Sequence, residues 1–160
     1  MTADRTTPLT GVPLPSMVVE RPFLTQLNLR LDREPPAEPG VTLLRLGPDE
    51  WLAIGPPDAQ ERLTARYESV AGASVVDVSA QRTTLELSGP GIRELLALGC
   101  SLDLHPSMFA VGDHAQTTLA HTPVILLRRE PVFWLMVRAS FAAHLAGWLI
   151  DASRDLTGGH

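Results

Sequence analysis

Apolar and polar residues alternate along much of the chain, and this period-two pattern predicts a series of β-strands. In "TQLNLRL", the pattern places Leu27, Leu29 and Leu31 on one face of a half-buried strand. In "TTLELS", Leu85 and Leu87 point inward while the glutamate between them points out. The same pattern predicts further strands in "SVVDVS", "AQTTLA", "PVILLR" and "VFWLMV".

Apolar residues recur at the helical period in three other segments. In "PPDAQERLTARYESV", Asp58 is a candidate N-cap with Glu61 three residues on, as in a capping box. A second, shorter helix follows the glycine-rich corner at 88–91, with Gly99 as its C-terminal stop. A last helix starts near Ser140, and its period predicts a buried face formed by Phe141, Leu145, Trp148, Leu149 and Ala152.

An internal similarity relates two parts of the chain. The segment "VTLLRLGPDEWLAI" (41–54) predicts a hairpin that turns at Gly47-Pro48-Asp49, and it aligns without gaps on "VILLRREPVFWLMV" (124–137). The identical positions are Val41/Val124, Leu43/Leu126, Leu44/Leu127, Arg45/Arg128, Pro48/Pro131, Trp51/Trp134 and Leu52/Leu135. Each segment precedes an amphipathic helix. We therefore predict an α+β fold of two pseudo-symmetric strand-strand-helix halves, packed about a pseudo-twofold axis.

The ends of the chain have a different composition from its middle. Four prolines lie within residues 1–22, and proline removes a backbone donor and disfavours helix at the residue before it. We expect an extended arm over 1–22, a single α+β domain over 23–155 and a C-terminal tail over 156–160. A chain of 160 residues is long enough to bury a substantial core.

Charge and cysteine content narrow the classes of function. The formal charge is −5, which argues against a general nucleic-acid binder, since such proteins usually present a basic face. All thirteen basic residues are arginine, which suits bidentate pairing with carboxylates at protein interfaces, although a codon bias would produce the same composition. A single cysteine fits a reducing compartment, and neither a signal peptide nor a membrane span is apparent. We expect a cytoplasmic protein.

The corner Ser88-Gly89-Pro90-Gly91 resembles a phosphate cradle only in part. A P-loop requires Lys and a hydroxyl residue after its last glycine, whereas this corner continues with Ile92, Arg93 and Glu94. The third glycine of a dinucleotide fingerprint is replaced by Glu94. The glycines and Pro90 are equally typical of a tight strand-to-helix turn, which is the interpretation we favour.

Other reactive side chains form no recognisable catalytic or metal pattern in the sequence. The five histidines are spread out and lack the spacing of a helical metal pair. Cys100 follows a predicted helix C-terminus, which favours a small buried residue over a nucleophile. Asp77 is the one acid in an apolar strand, so we expect it to be hydrogen-bonded or paired, with Arg82 as one candidate. We therefore assign no catalytic, cofactor-binding or metal-binding residue.

Three segments resemble the gamma subunit of heterotetrameric sarcosine oxidase. They are "LGPDEWLAI" (46–54), "VVDVSAQRTTLELSGPGIRELLALGCSLDLHP" (75–106) and "FAVGDHAQTTLAHTPVILLRREPVFWLMVRASFAAHLAGWL" (109–149). More distantly, the "VDVS" and "SGP" pattern resembles the folate-binding domain of glycine-cleavage aminomethyltransferases, itself a duplicated α+β fold.

The resemblance implies a non-catalytic structural role. The complexes of this family oxidatively demethylate sarcosine to glycine, yielding formaldehyde or methylenetetrahydrofolate together with hydrogen peroxide. The resemblance implies that other subunits hold FAD, FMN, NAD, tetrahydrofolate and zinc. It implies no cofactor in this chain. The chain would bind chiefly the alpha subunit, in a complex that also contains the beta and delta subunits. It would bind neither nucleic acid nor a membrane.

A stand-alone tetrahydrofolate-binding, one-carbon transferase-like domain is the alternative function. Two departures from the resembled families count against it. Ala80 follows Ser79 where the oxidase family commonly has histidine, and "HTPVILLR" holds no carboxylate before Glu130, where folate enzymes place an acid. An RNA-modification accessory of similar fold is disfavoured by the net charge.

Overall fold

A computed structural model of the protein describes residues 5–158. It separates into two compact units, one spanning Pro22–Arg82 and the other combining the residues up to Arg21 with those from Thr83 onward. Each unit has its own cluster of buried apolar side chains. The span 23–155, expected to form a single domain, is thus divided between these two units, and its description as one domain stays a prediction.

In chain order the elements are β1 (Val18–Arg21), β2 (Thr25–Arg30), β3 (Thr42–Gly47), β4 (Glu50–Gly55), α1 (Gln60–Glu68), β5 (Ser74–Asp77), β6 (Arg82–Leu87), α2 (Ile92–Ala97), β7 (His114–Leu119), β8 (Thr122–Arg128), β9 (Phe133–Arg138), a 3₁₀ turn (Ala139–Phe141) and α3 (Ala142–Gly158). All the strands predicted from alternation are present. The fold is a mixed α/β fold with two antiparallel sheets and few helices.

The unit spanning Pro22–Arg82 contains a four-stranded sheet in the order β3-β4-β2-β5. Leu27, Leu29 and Leu31 point to one face, as their alternation predicts, and pack with Leu63 and Tyr67 of α1. All five side chains are at most 3% exposed. Burying a large apolar side chain contributes about 1.5–3 kcal/mol, so this face supplies the unit's main stabilisation.

The other unit contains a five-stranded sheet in the order β1-β6-β9-β8-β7. Apolar residues of β6, β8 and β9 pack against the buried faces of α2 and α3. Leu85 and Leu87 lie in this core, while Glu86 between them points away from it, as predicted. From α3, the core receives Ala142, Leu145, Ala146, Leu149 and Ala152.

The N-terminal segment is more ordered than the predicted arm. Val18–Arg21 pair antiparallel with β6, in register Val18↔Leu87, and Val18 and Leu9 are buried in the core of this unit. The last residues of the extended arm expected over 1–22 thus form a paired strand. The prolines precede this strand or follow it at Pro22, so the strand's own N–H groups remain free to pair. Residues 1–4 lie outside the described part of the chain.

The helix ends differ from prediction in three places. The N-cap of α1 is Ala59 and not Asp58, which has a φ of +63°. The N–H of Ala59 donates to the Thr25 hydroxyl at 3.1 Å. Phe141 is 43% exposed because it lies in the 3₁₀ turn, out of register with the buried face of α3. The tail expected from 156 is still helix through Gly158, and Leu156 packs on the core. Residues 159–160 are not described.

No helix within residues 5–158 is both long and apolar enough to span a bilayer.

Candidate functional site

The glycine-rich corner is a backbone turn between β6 and α2. Gly89 and Gly91 adopt φ values of +102° and +86°, a region that side-chain-bearing residues avoid, and Gly91 is the N-cap of α2. The N–H of Ser88 donates to the carbonyl of Met17 at 2.9 Å. The helix that follows has six residues and already carries Glu94 in its first turn. Turn geometry thus explains both glycines.

Asp77 lies exposed at the end of β5, where it orders the following loop. Its carboxylate accepts hydrogen bonds from the backbone N–H of Ser79 at 2.9 Å and from the Ser79 hydroxyl at 2.6 Å. The buried side chain of Gln26 holds the same loop by donating from Nε2 to the carbonyl of Arg82 at 2.9 Å. The prediction that Asp77 is hydrogen-bonded is confirmed, and its partner is Ser79.

Cys100 is buried just beyond α2, with its Sγ 3.8 Å from the Thr117 hydroxyl. This placement fits the interpretation of a small core residue. The preceding Gly99 follows the last turn of α2, as predicted, and it has little free space around it. A Cβ built on Gly99 would lie 2.7 Å from the Trp148 ring and 3.0 Å from the backbone nitrogen of Ala120.

The histidines do not assemble a metal site within residues 5–158, where no group of three or more His, Cys, Asp or Glu side chains has suitable geometry. His105 is engaged locally, since its Nδ1 lies 2.7 Å from the Ser107 hydroxyl. His121 and His144 instead line one surface cleft, although they are far apart in sequence.

That cleft has a volume of about 610 Å³, within the usual range for binding sites, and it is formed by one unit alone. The C-terminal end of α2, the β7–β8 turn and α3 each contribute to it. The lining residues are Ala97, Leu98, Gly99, Cys100, Ser101, Ala120, His121, His144 and Trp148. We call this feature the α2–α3 cleft.

The α2–α3 cleft combines apolar surface with imidazole groups. Leu98 in its wall is 56% exposed, and Trp148 is only half-buried. Phe141, also exposed, lies in the 3₁₀ turn before α3 and does not line the cleft. None of the described lining residues carries a carboxylate. The arrangement suits contact with an apolar group that has a hydrogen-bond acceptor beside it.

Away from the cleft, an ordered ion pair lies on the five-stranded sheet. Glu86 accepts from Arg21 at 2.7 Å and from the indole N–H of Trp134 at 3.2 Å. The hydrogen bond from Arg21 is the main reason that the pKa of Glu86 is lowered. Partial burial opposes this shift, and the Trp134 N–H adds to it. Arg129 stacks over the Trp134 ring at 4.1 Å. These contacts order the sheet surface.

Sequence reasoning missed the cleft and recognised only some of its residues. Trp148 was expected to be buried on α3, but it is half-buried and lines the cleft. From sequence, His121 and His144 were only two of five histidines that are spread along the chain. The short spacing between the strands "AQTTLA" and "PVILLR" was the available signal, because it requires a tight turn at Ala120-His121.

Fold and surface together define a mixed α/β protein with two sheets and an apolar, carboxylate-free cleft. Its family is shown by sequence. The chain belongs to the sarcosine oxidase, gamma subunit family, whose pattern matches residues 26–155. The resemblance inferred from the motifs in 46–54, 75–106 and 109–149 is thereby confirmed.

Curated relatives from three bacterial sources support the same assignment. The chain is 45% identical over 120 residues to the sarcosine oxidase subunit gamma of Corynebacterium sp. (strain P-1), an alignment that covers 72% of this chain and 58% of the relative. It is 43% identical over 122 residues to that of Arthrobacter sp., covering 74% and 60%. It is 38% identical over 125 residues to that of Corynebacterium sp. (strain U-96), covering 74% and 58%. The matches thus span less than two thirds of these relatives.

A solved structure is similar over nearly the whole fold. It is described as heterotetrameric sarcosine oxidase from Corynebacterium sp. U-96 in complex with pyrrole 2-carboxylate. The two chains superimpose with a TM-score of 0.79 at 30% sequence identity, covering 92% of this chain and 94% of the other.

Proposed function

We propose that this chain is a non-catalytic gamma subunit of a heterotetrameric sarcosine oxidase, and that it acts by docking on the alpha subunit. The observation that carries the proposal is the TM-score of 0.79, over 92% of the chain, to a chain from a structure described as heterotetrameric sarcosine oxidase. The family match over residues 26–155 supports the same role, which is carried over from similarity of the whole chain and not from a local site.

The reactive side chains support a structural role because each has a local use. Cys100 is buried, the corner glycines form a turn, and Asp77 holds Ser79. We propose that the chain itself supplies no catalytic, cofactor-binding or metal-binding residue. Other subunits would then hold FAD, FMN, NAD, tetrahydrofolate and zinc. The assembly would be cytoplasmic and would contact neither nucleic acid nor a membrane.

The complex would oxidise the methyl group of sarcosine. Sarcosine, oxygen and water would give glycine, formaldehyde and hydrogen peroxide, and with tetrahydrofolate the one-carbon unit would leave as methylenetetrahydrofolate. The alpha subunit would be the main neighbour of this chain, with beta and delta completing the assembly. We further propose that the fold descends from a duplication like that of the aminomethyltransferase folate-binding domain. Both units in fact contain a hairpin followed by a helix.

Co-expression tests the assembly. The full chain, carrying an affinity tag, would be produced together with the alpha, beta and delta subunits of a sarcosine oxidase, and the purified material would be analysed by native mass spectrometry. We expect one copy of this chain with three different partners, and sarcosine-dependent peroxide formation. A tagged chain that is recovered alone, while the remaining subunits assemble and oxidise sarcosine without it, would contradict the proposal.

Calorimetry separates this function from that of a stand-alone folate domain. Titration of tetrahydrofolate into the full isolated chain should give no heat beyond dilution. A dissociation constant in the micromolar range, about −8 kcal/mol, would instead support the alternative function.

A further inference from the structure

We propose that two copies of the free chain exchange their N-terminal segments, residues 5–21, so that β1 of each copy pairs with β6 of the other. The partner is a second copy of this chain, and the contact surface is the edge of β6 with the core residues beside it. This inference goes beyond the proposed function and does not depend on it, because it concerns the chain when no other subunit is bound.

The N-terminal segment is held by a part of the chain that is distant in sequence. The residues up to Arg21 form one compact unit with those from Thr83 onward. In that unit β1 pairs antiparallel with β6 along its whole length, beginning at Val18↔Leu87. Leu9 and Val18 are each 4% exposed in the same core. The segment thus occupies a site that it does not itself build.

Polar contacts define the same site. The Glu20 carboxylate accepts a hydrogen bond from the Thr7 hydroxyl at 2.6 Å and one from the Thr83 hydroxyl at 2.6 Å. The N–H of Ser88 donates to the carbonyl of Met17 at 2.9 Å. Each of these groups is present in every copy of the chain. A segment that arrives from a second copy therefore makes the same contacts, which is the condition for domain swapping.

The connection between the N-terminal segment and the rest of the chain is short and strained. Only residues 22–24 join β1 to β2, and Phe23 has a φ of +63°. Residues with a side chain avoid this left-handed region because Cβ lies too close to the following carbonyl oxygen. Pro22 fixes its own φ, so it cannot take up the strain. In an exchanged dimer these residues run between the two copies, and Phe23 is free to adopt an extended φ. Short hinges under strain favour exchange.

The size of this effect sets the concentration at which exchange occurs. A segment tethered by a short linker has an effective concentration in the millimolar range, which an unstrained hinge would require a second copy to match. The left-handed conformation disfavours the closed hinge by about five-fold, so relief in both copies favours the dimer by about thirty-fold. We therefore expect half of the chain to be dimeric at tens of micromolar, roughly thirty-fold below the millimolar range.

Light scattering after size-exclusion chromatography tests for the dimer. The full chain would be unfolded in urea, so that the segment is released, and refolded at concentrations from about ten micromolar to about one millimolar. The dimeric fraction should rise over this range. A chain that refolds and stays monomeric throughout would overturn the proposal.

Two substitutions at one hinge position test the assigned cause. Phe23→Gly removes both the ring and the strain, whereas Phe23→Ala removes the ring and keeps the strain. We expect Phe23→Gly to raise the concentration of half-dimerisation by about thirty-fold and Phe23→Ala to leave it within about two-fold. Circular dichroism and thermal unfolding would establish that both variants fold. Equal dimerisation of the two variants would contradict a strained hinge.

A disulfide identifies which strands pair in the dimer. Val19 faces Glu86 across β1 and β6, and paired residues of antiparallel strands have Cα atoms about 4.5–5.5 Å apart, within disulfide range. After oxidation of the Val19→Cys, Glu86→Cys double variant, the dimer fraction should give a covalent dimer on a non-reducing denaturing gel. Val19→Cys alone should not, and it controls for the buried Cys100. A dimer whose disulfides lie within each chain would show that the copies associate through another surface, and would overturn the exchange.

Discussion

The hairpin β3–β4 and the hairpin β8–β9 are similar in sequence, but they use their shared tryptophan differently. Trp51 lies in the core beneath α1, 9% exposed, and its indole N–H donates to the carbonyl of Leu31 at 3.3 Å. Trp134 is half-buried outside the core cluster of its unit, and it donates to the Glu86 carboxylate. The same residue at the same spacing is a core residue in one unit and a surface residue in the other.

The strand pairing explains this difference. In the first hairpin Arg45 pairs with Trp51, whereas in the second Arg128 pairs with Phe133. Five residues separate Arg45 from Trp51, with a register shift between Arg45 and Gly47, whereas four separate Arg128 from Phe133. Because side chains alternate between faces, a displacement of one residue moves each side chain to the opposite face.

The residue equivalent to Trp51 in the second hairpin is therefore Phe133. Both occupy the core face, and each has the paired arginine over its ring, at 5.7 Å for Arg45 and 5.2 Å for Arg128. The ungapped alignment of 41–54 on 124–137 thus holds for the first strand of each hairpin and fails for the second. Trp51 and Trp134 are identical in the alignment but lie in different environments. The equivalent environments are those of Trp51 and Phe133, the aromatic residues that pair with an arginine.

Truncation of the two tryptophans gives the largest contrast. Trp51→Ala removes a core side chain, so we expect it to lower the free energy of unfolding by about 3–5 kcal/mol. Trp134→Ala should lower it by about 1 kcal/mol, the scale of a half-buried ring with one hydrogen bond. Urea unfolding of the full chain measures both. Equal losses of unfolding free energy for the two variants would show that the ungapped alignment, and not the strand pairing, describes the environments of the two tryptophans.

Each unit also has a glycine packed closely against a helix side chain, and we expect substitutions at these two glycines to differ in their effect on stability. A Cβ on Gly55 would lie 2.6 Å from a terminal methyl of the Leu63 side chain and otherwise make only ordinary contacts, whereas one on Gly99 would meet the rigid Trp148 ring and backbone. We expect Gly99→Ala to be destabilising by about 1–3 kcal/mol and Gly55→Ala by less.

Gly147→Ala is the control for these glycine variants, because it lies in α3 with open space around its Cβ position. It should stabilise the protein by up to about 1 kcal/mol through helix propensity. A larger loss for Gly55→Ala than for Gly99→Ala in the same urea titrations would mean that the packing at the base of the cleft is looser than described.

The smallest contrast concerns pH. Trp51 donates to a carbonyl, which does not titrate, whereas Trp134 donates to Glu86, whose folded-state pKa is lowered from 4.5. Since the shift is downward, its stabilisation is present above pH 4.5 and is lost as the pH falls through the folded-state pKa. Arg21 is largely exposed, so the contribution is about 1 kcal/mol or less.

Urea unfolding of the unsubstituted chain and of Glu86→Gln across this pH range measures the contribution. The difference between them should shrink as the pH falls below 4.5. Glu130→Gln, at an exposed carboxylate 3.4 Å from Arg128, is the control and should show a smaller change. A difference for Glu86→Gln that stays constant with pH would contradict the assigned role of the carboxylate.

Much of the fold could be predicted because its elements follow local patterns. The alternation in "TQLNLRL" gives the strand a single apolar face that can be buried. The helical spacing of Leu145, Leu149 and Ala152 does the same for α3. Asp58 was mispredicted as the N-cap because α1 begins one residue later, at the N-cap Ala59, whose N–H is bound by the distant Thr25 hydroxyl. The split into two units was likewise missed, because it depends on which apolar faces meet.

The α2–α3 cleft could not be predicted from sequence because it depends on long-range contacts. Its lining comes from the end of α2, the β7–β8 turn and α3, which local patterns do not relate to one another. Gly99 was expected to end a helix, which it does, but its close approach to Trp148 is visible only in three dimensions.

Hydrogen–deuterium exchange of the chain, alone and within the assembled complex, tests most directly the central claim that the chain acts by docking on a partner subunit. We predict slower exchange on assembly in at least one contiguous surface segment of residues 5–158. Exchange that is unchanged throughout those residues, in a complex of confirmed subunit composition, would contradict the claim.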